Sequence, residues 1–133
     1  MDSNLNDAFV HAGRSELARL ESAGFARIVE GSGPGYQFLT SFRGEAFVHL
    51  VREIRDQLVY CELGFRVDGE MPGWAPGQRT DVRLLLDPGR RQRPSDVGSY
   101  TESTESLRAA VARVVDQVEL VGIRFLNSSN PST

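Results

Sequence analysis

The first part of the chain places hydrophobic and polar residues with the spacing of an amphipathic helix. Apolar residues recur every three to five positions from Leu5 to Leu20, and charged residues occupy many of the positions between them. Gly24 follows this segment, and glycine often ends a helix because it tolerates a left-handed backbone. The pattern therefore predicts one helix over residues 5–23.

Two strands joined by a hairpin loop are predicted next. Residues 25–29 suit a strand, and the glycine-rich run at 31–35 interrupts it. Tyr36, Phe38, Thr40 and Phe42 then recur at every second position, and this period predicts a strand over residues 36–42. We expect its aromatic face to point into the core.

The segment from Glu45 to Val67 supports two interpretations. The apolar residues at positions 47, 50, 51, 54 and 58 fit a helix, whereas the branched and aromatic runs suit two strands joined by a turn at residues 55 and 56. We favour strands over residues 46–54 and 57–67, because β-branched and aromatic residues are enriched in strands. A helix here would remove a strand from the sheet.

Beyond Asp68 the chain becomes rich in glycine and proline. Residues 68–80 and 87–100 are predicted as irregular loops, separated by a short apolar run at 81–86 that is either an edge strand or one helical turn. Capping residues at 101–105 and an apolar stripe from Leu107 to Val121 then predict a C-terminal helix that ends at Gly122. Residues 127–133 lack apolar side chains and are predicted as a frayed tail.

These elements together predict an α+β fold. It comprises an N-terminal helix, a four-stranded antiparallel meander, a loop-rich segment and a C-terminal helix packed on the sheet. A chain of 133 residues is long enough for one domain with an ordinary core. We place that domain at residues 1–126, with the tail at 127–133.

Composition narrows the possible chemistry. All 15 basic residues are arginine, which excludes a Walker-type phosphate loop, a Schiff-base enzyme and a lysine general base. A net charge of −3 and a pI near 5.4 argue against a nucleic-acid partner. Three features predict a cytoplasmic protein without a membrane partner. They are the single cysteine, the lack of an apolar run of about 20 residues and the polar N-terminus.

His49 is the main candidate for a polar site. If the turn at residues 55 and 56 contains only these two residues, His49 lies directly across from Glu62, whose carboxylate would raise the pKa of the imidazole toward neutral pH. Together with Tyr60, these residues would line a pocket between the sheet and the helices. The alternative is a cross-strand pair that only stabilises the sheet. No catalytic residue, metal site or cofactor is predicted, and Cys61 is expected to be buried.

A second candidate surface lies in the loops. It comprises Trp74, Arg79, Arg90, Arg91 and Arg93. Tryptophan and arginine are enriched at the energetic centres of protein interfaces, so this set predicts a surface that binds a protein partner. In the alternative interpretation, the tryptophan covers the core and the arginines only keep the loops soluble. An arginine cluster would also suit phosphate or RNA, although acidic residues lie among these arginines.

Four runs of the sequence carry a resemblance to a known class of proteins: LARLESAGFARIVEG, GYQFLTSF, AFVHLVREI and LVYCELGFRV. The chain resembles small bacterial α+β domains of unknown function, several of which are immunity proteins of polymorphic toxin systems. The shared features are an N-terminal helix closing on Gly24-Phe25, meandering strands, a strand ending at Leu63-Gly64 and a C-terminal helix. The resemblance covers about half of the chain.

This resemblance implies a protein that neutralises a cognate toxin by binding it. It assigns no catalytic residues and no cofactor. The alternative, from the candidate pocket, is a domain that binds a small molecule, or an enzyme.

Overall fold

The structure, a computed structural model, describes residues 2–73, 78–86 and 98–129. Its elements are α1 (Asp2–Leu17), a 3-10 helix (Ala18–Ala23), β1 (Arg27–Gly33), β2 (Tyr36–Arg43), β3 (Ala46–Glu53), β4 (Leu58–Phe65), β5 (Arg79–Asp81), α2 (Val82–Leu86), α3 (Thr104–Gln117), a π-helix (Val118–Gly122) and α4 (Ile123–Ser129). The strands form one antiparallel sheet in the order β1-β2-β3-β4-β5. The predicted α+β fold is confirmed, with one strand more than predicted.

The sheet has two distinct faces, because successive side chains of a strand point to opposite sides. One face carries Leu39, Leu50 and Cys61 side by side on β2, β3 and β4, and it packs against α1 and α3. We call it the helical face. The other face carries Phe38 and Val51 on β2 and β3, and we call it the open face.

The close approach of α1 to the sheet depends on Gly13. A Cβ atom at this position would lie 2.1 Å from Leu39 Cδ1 and 3.2 Å from Leu50 Cδ2. Phe9, on the same helix, is fully buried in the core. The helical segment ends where Gly24 adopts a left-handed conformation, with φ of 97°, as the sequence predicts.

β3 and β4 confirm the strand interpretation of residues 46–65. Every residue of β3 from Ala46 to Arg52 is buried. A strand buried on both faces shows a nearly continuous apolar run in place of alternation, which explains why this segment also fits a helical spacing. The hairpin has the predicted register, in which His49 pairs with Glu62.

The prediction for the aromatic face of β2 is wrong. Tyr36 is 38% exposed, and Phe38 is partly buried on the open face. The alternate residues face α1: Leu39 lies against Gly13, and the Gln37 side chain donates a hydrogen bond to a backbone carbonyl of α1 at 3.2 Å. The helices therefore cover the side of β2 that is less aromatic and more polar.

Arg52 places a guanidinium in the interior, where it is 1% exposed. Its Nε donates to the Tyr100 hydroxyl at 2.7 Å, and its Nη1 donates to Asn6 Oδ1 at 2.7 Å and to Gln37 Oε1. The guanidinium carbon lies 5.6 Å from the centroid of the Tyr100 ring. Among the described residues, the hydrogen-bond acceptors of Arg52 are all uncharged. Arg52 thus connects α1, β2 and the segment before α3.

Two segments share the outer edge of β4. β5 pairs with residues 62–64, and residues 98–100 lie beside the start of the strand. Val59 N donates to Gly98 O at 2.8 Å, and Tyr100 N donates to Gln57 O at 3.1 Å. The run at 81–86 contains both predicted alternatives, since β5 ends at Asp81 and α2 begins at the next residue.

Substituting Gly98 by alanine (Gly98→Ala) is expected to lower the free energy of unfolding by about 3 kcal/mol, the upper part of the range for overpacking. A Cβ atom there would lie 1.7 Å from Val59 O, so backbone would have to move. Gly73→Ala is the control, because its Cβ would lie 3.7 Å from Gln78 Oε1. Urea unfolding measures both variants. Equal stability of the two variants would show that this contact is not needed.

The C-terminal helical segment is longer than predicted. α3 begins at a capping serine, since Ser103 Oγ accepts from Ser106 N at 3.0 Å. The prediction that Gly122 ends the helix is wrong, because the π-helix leads directly into α4. Gly122 instead permits close packing, as its Cβ would lie 3.0 Å from Leu63 Cδ1. Residues 127–129, which the predicted tail includes, belong to α4, and residues 130–133 lie outside the described residues.

Candidate functional site

A concave site lies on the open face, near the β1–β2 and β3–β4 hairpins. The described residues enclose a cavity of about 730 Å³, within the size range of small-molecule pockets. Most of its lining is aromatic or apolar, and three charged residues also contribute. The lining includes Tyr36, Phe38, Thr40, His49, Val51, Glu53, Arg55, Tyr60, Met71 and Arg79. We call this site the aromatic cavity.

Three neighbouring strands form the floor of the aromatic cavity. Phe38 on β2 pairs with Val51 on β3, which pairs with Tyr60 on β4. Tyr36 stacks beside Phe38, with ring centroids 6.2 Å apart and planes 25° apart. The floor therefore offers apolar and aromatic surface for a flat molecule.

His49 lies next to this floor, and 9% of the residue is exposed. Its Nδ1 is hydrogen-bonded to Thr40 Oγ1 at 2.7 Å, and its ring centroid lies 5.2 Å from that of Phe38. Thr40 and Glu62 are its cross-strand neighbours on β2 and β4. The imidazole is thus held in one orientation by a threonine and an aromatic ring.

The prediction that Glu62 raises the pKa of His49 is wrong. Burial lowers the pKa of His49 and the positive charge of Arg79 adds to this effect, so that the pKa falls from 6.5 to about 4. The Glu62 carboxylate pairs instead with Arg79, at 3.3 Å between Oε1 and Nη1. His49 is therefore uncharged at neutral pH.

The Glu62–Arg79 ion pair is nearly enclosed, with side chains 13% and 12% exposed. Arg79 also donates from Nε and Nη2 to Pro72 O, at 3.1 and 2.8 Å. Burial raises the pKa of Glu62, although Arg79 opposes this effect. Arg79, a predicted protein-binding residue, thus lies beside the predicted pocket residues.

Neighbouring acidic residues raise the pKa values of two residues that line the aromatic cavity, Tyr60 and Glu53. Burial, followed by the charges of Glu62, Glu53 and Asp81, raises the pKa of Tyr60 to about 12. The Tyr60 hydroxyl therefore stays protonated. A hydrogen bond to Asp56, together with burial, raises the pKa of Glu53.

The structure brings together His49, Tyr60, Glu62 and Arg79, which come from both predicted sites. The expected position between the sheet and the helices is wrong, because these side chains lie on the open face. Trp74, Arg90, Arg91 and Arg93 lie outside the described residues.

Sequence reasoning missed most of the apolar lining. Phe38, Val51 and Met71 line the aromatic cavity but were not predicted as site residues. The alternation of residue types in β2 is a signal that could identify Phe38 as a lining residue, because it separates the residues of one strand face from those of the other. It does not show which face the helices cover.

Other chemistries find little support in the part of the chain that the structure describes. Cys61 is fully buried on the helical face, as predicted, and burial raises the pKa of its thiol well above the usual range. Within residues 2–73, 78–86 and 98–129, no group of three or more histidine, cysteine, aspartate or glutamate residues is arranged to hold a metal ion. No helix in these ranges has both the length and the apolar character needed to cross a bilayer.

The aromatic cavity and its buried histidine are the features from which a function can be argued. Comparisons with known protein families, with curated proteins and with solved structures find no match to this chain.

Proposed function

We propose that this protein is a binding domain for a small aromatic molecule, which it holds in the aromatic cavity. The observation that carries this proposal is a cavity of about 730 Å³ with an aromatic and apolar floor, to which three charged residues also contribute. Ligand pockets in proteins have this size and this composition. Phe38 and Tyr60, on either side of Val51, provide ring surface against which a flat ligand can pack.

The polar groups of the aromatic cavity suit recognition better than acid–base catalysis. An efficient general base has a pKa near the working pH, whereas the pKa of His49 is about 4. The pKa of Tyr60, about 12, makes its hydroxyl a poor acid at neutral pH. Both groups are well suited to hydrogen bonding with a bound molecule.

Val51→Phe is expected to abolish binding, because the larger side chain would project from the centre of the floor into the space for the ligand. Saturation-transfer NMR with a set of small flat aromatic compounds measures the effect. The matched control is Leu120→Phe, which adds the same ring at a residue that is 66% exposed on the π-helix.

We expect at least one compound to receive saturation from the wild type and from Leu120→Phe, and none from Val51→Phe. Failure of every compound with the wild type would contradict the proposed function. Equal transfer from Val51→Phe would show that binding occurs elsewhere.

The second candidate function is that of an immunity-type protein that neutralises a bacterial toxin in the cytoplasm. The resemblance of the four sequence runs supports it, and so does the lining of the aromatic cavity, to which the exposed residues Tyr36 and Arg55 both contribute. Tyrosine and arginine are typical anchors of protein interfaces. The net charge of −3 would favour encounter with a basic toxin.

Co-expression separates this candidate from the first. If the gene immediately upstream encodes a toxin, this protein should restore growth of cells that express it, and Tyr36→Ala should weaken the protection. A metabolic gene in that position, or a toxin against which this protein gives no protection, would contradict the immunity function.

A further inference from the structure

We propose that the ligand of the aromatic cavity carries a hydrogen-bond acceptor on its ring edge, such as a ring nitrogen or a carbonyl oxygen, and that this acceptor binds His49 Nε2–H. This inference rests on the proposed function and adds the chemical class of the ligand. It follows from the hydrogen bonding of one side chain, His49, and of its neighbour Thr40.

The hydrogen bond between Thr40 and His49 determines which imidazole nitrogen carries the proton. Thr40 is 3% exposed, and among the described residues the only side-chain hydrogen bond of Oγ1 is to His49 Nδ1. If Nδ1–H donated to Thr40, the threonine hydroxyl would be left as a buried donor for which the described residues provide no acceptor. Such an arrangement is unfavourable, because a buried donor without a partner loses its hydration and gains no hydrogen bond in return. We therefore infer that Thr40 donates to Nδ1, which leaves the proton of the neutral imidazole on Nε2.

His49 lines the aromatic cavity, and Nε2 is the ring nitrogen that Thr40 leaves unoccupied. The described residues provide no hydrogen-bond partner for this nitrogen. Within the described ranges, the fully buried side-chain atoms without a partner are Ser41 Oγ, Arg66 Nε and Gln117 Oε1, and Nε2 is not among them. Since His49 lines the cavity, Nε2–H is a donor that a bound molecule can use.

The other polar groups around the cavity agree with an acceptor on the ligand. The Tyr60 hydroxyl and the guanidinium of Arg55 are donors. One acceptor near the site is already occupied, because Glu62 accepts from Arg79. A ligand that offers only donors would leave His49 Nε2–H without a partner.

Two bicyclic compounds of similar size test the inference directly. Quinoline has a ring nitrogen that accepts, and indole has a ring N–H that donates. Both are uncharged at neutral pH. We expect quinoline to bind the wild-type protein about ten-fold more tightly than indole in an NMR titration, the upper range for one hydrogen bond.

The variant His49→Phe keeps a ring of similar size and removes the donor. In this variant the affinity for quinoline should fall to that for indole. The control is His11→Phe, because His11 is exposed on α1, away from the open face. This control should keep the ten-fold preference.

Each outcome decides one of the two proposals. If neither compound binds the wild type, the proposed function fails. If both bind equally, or indole binds more tightly, the proposed function stands and the acceptor inference is overturned. A preference for quinoline that persists in His49→Phe also overturns the inference.

A measurement on the wild type keeps the inference testable if His49→Phe does not fold. Long-range ¹H–¹⁵N correlation spectra show which imidazole nitrogen carries the proton. We expect His49 to be protonated at Nε2 at neutral pH, and quinoline to shift that ¹⁵N signal. A proton on Nδ1 would overturn the inference.

Discussion

Replacing Arg52 with alanine (Arg52→Ala) is expected to lower the free energy of unfolding by about 4 kcal/mol. The guanidinium is 1% exposed and donates to three acceptors, on Asn6, Gln37 and Tyr100. Alanine would remove these donors and leave a void between α1 and the sheet. Loss of a buried network and creation of a cavity are both among the changes with large effects on stability.

The control for this prediction is Arg14→Ala. Arg14 pairs with Glu30 at 3.2 Å, but the two side chains are 47% and 48% exposed. Exposed pairs contribute about 0–1 kcal/mol, so this variant should be nearly as stable as the wild type. Chemical denaturation of both variants gives the comparison. If Arg52→Ala is no less stable than Arg14→Ala, the buried network does not hold α1 to the sheet.

The second large effect is a dependence of stability on pH that originates at His49. The pKa of His49 falls from 6.5 to about 4 on folding. Between these values the unfolded chain binds a proton that the folded chain does not, so stability falls as the pH falls. The difference from neutral pH to pH 4 is about 3 kcal/mol.

This contribution is isolated by comparing the wild type with His49→Gln. The charged and titratable groups that face His49 are Tyr60 and Glu62 on β4 and Arg79 on β5, and both proteins keep them. The raised pKa of Glu62 acts in the opposite direction, since it favours the folded state as the pH falls, and it largely cancels in the comparison.

Between neutral pH and pH 4, the wild type should lose about 3 kcal/mol more stability than His49→Gln. Urea unfolding at a series of pH values measures this difference, with His11→Gln as a control that should follow the wild type. Parallel curves for the wild type and His49→Gln would mean that His49 takes up a proton in the folded state.

The sequence allowed the order of elements and the register of the β3–β4 hairpin to be predicted, because both depend on local patterns. The turn after residue 54 is enough to place His49 opposite Glu62. It does not show that Arg79 would pair with Glu62 from 17 residues further along the chain. The pKa of His49 depends on this tertiary contact and on burial, so the prediction from register alone had the wrong direction.

The position of the site was harder to predict for a related reason. The alternation of residue types along β2 shows that the strand has two different faces. The residues of α1 determine which of these faces packs against the helices. Gly13 makes room for Leu39, and Asn6 contacts Gln37 and Arg52. An arginine in a strand is usually exposed, so the burial of Arg52 has no signal in the local sequence.

The central claim is that a flat aromatic molecule binds in the aromatic cavity, and the methionine methyl groups test it most directly. The chain has two methionines, Met1 and Met71, and Met71 lines the cavity. With ¹³C-methyl methionine, adding quinoline should move the Met71 signal until it saturates, through the ring current of the bound molecule. A Met71 signal that stays unchanged while quinoline binds, or an absence of binding, would contradict the claim.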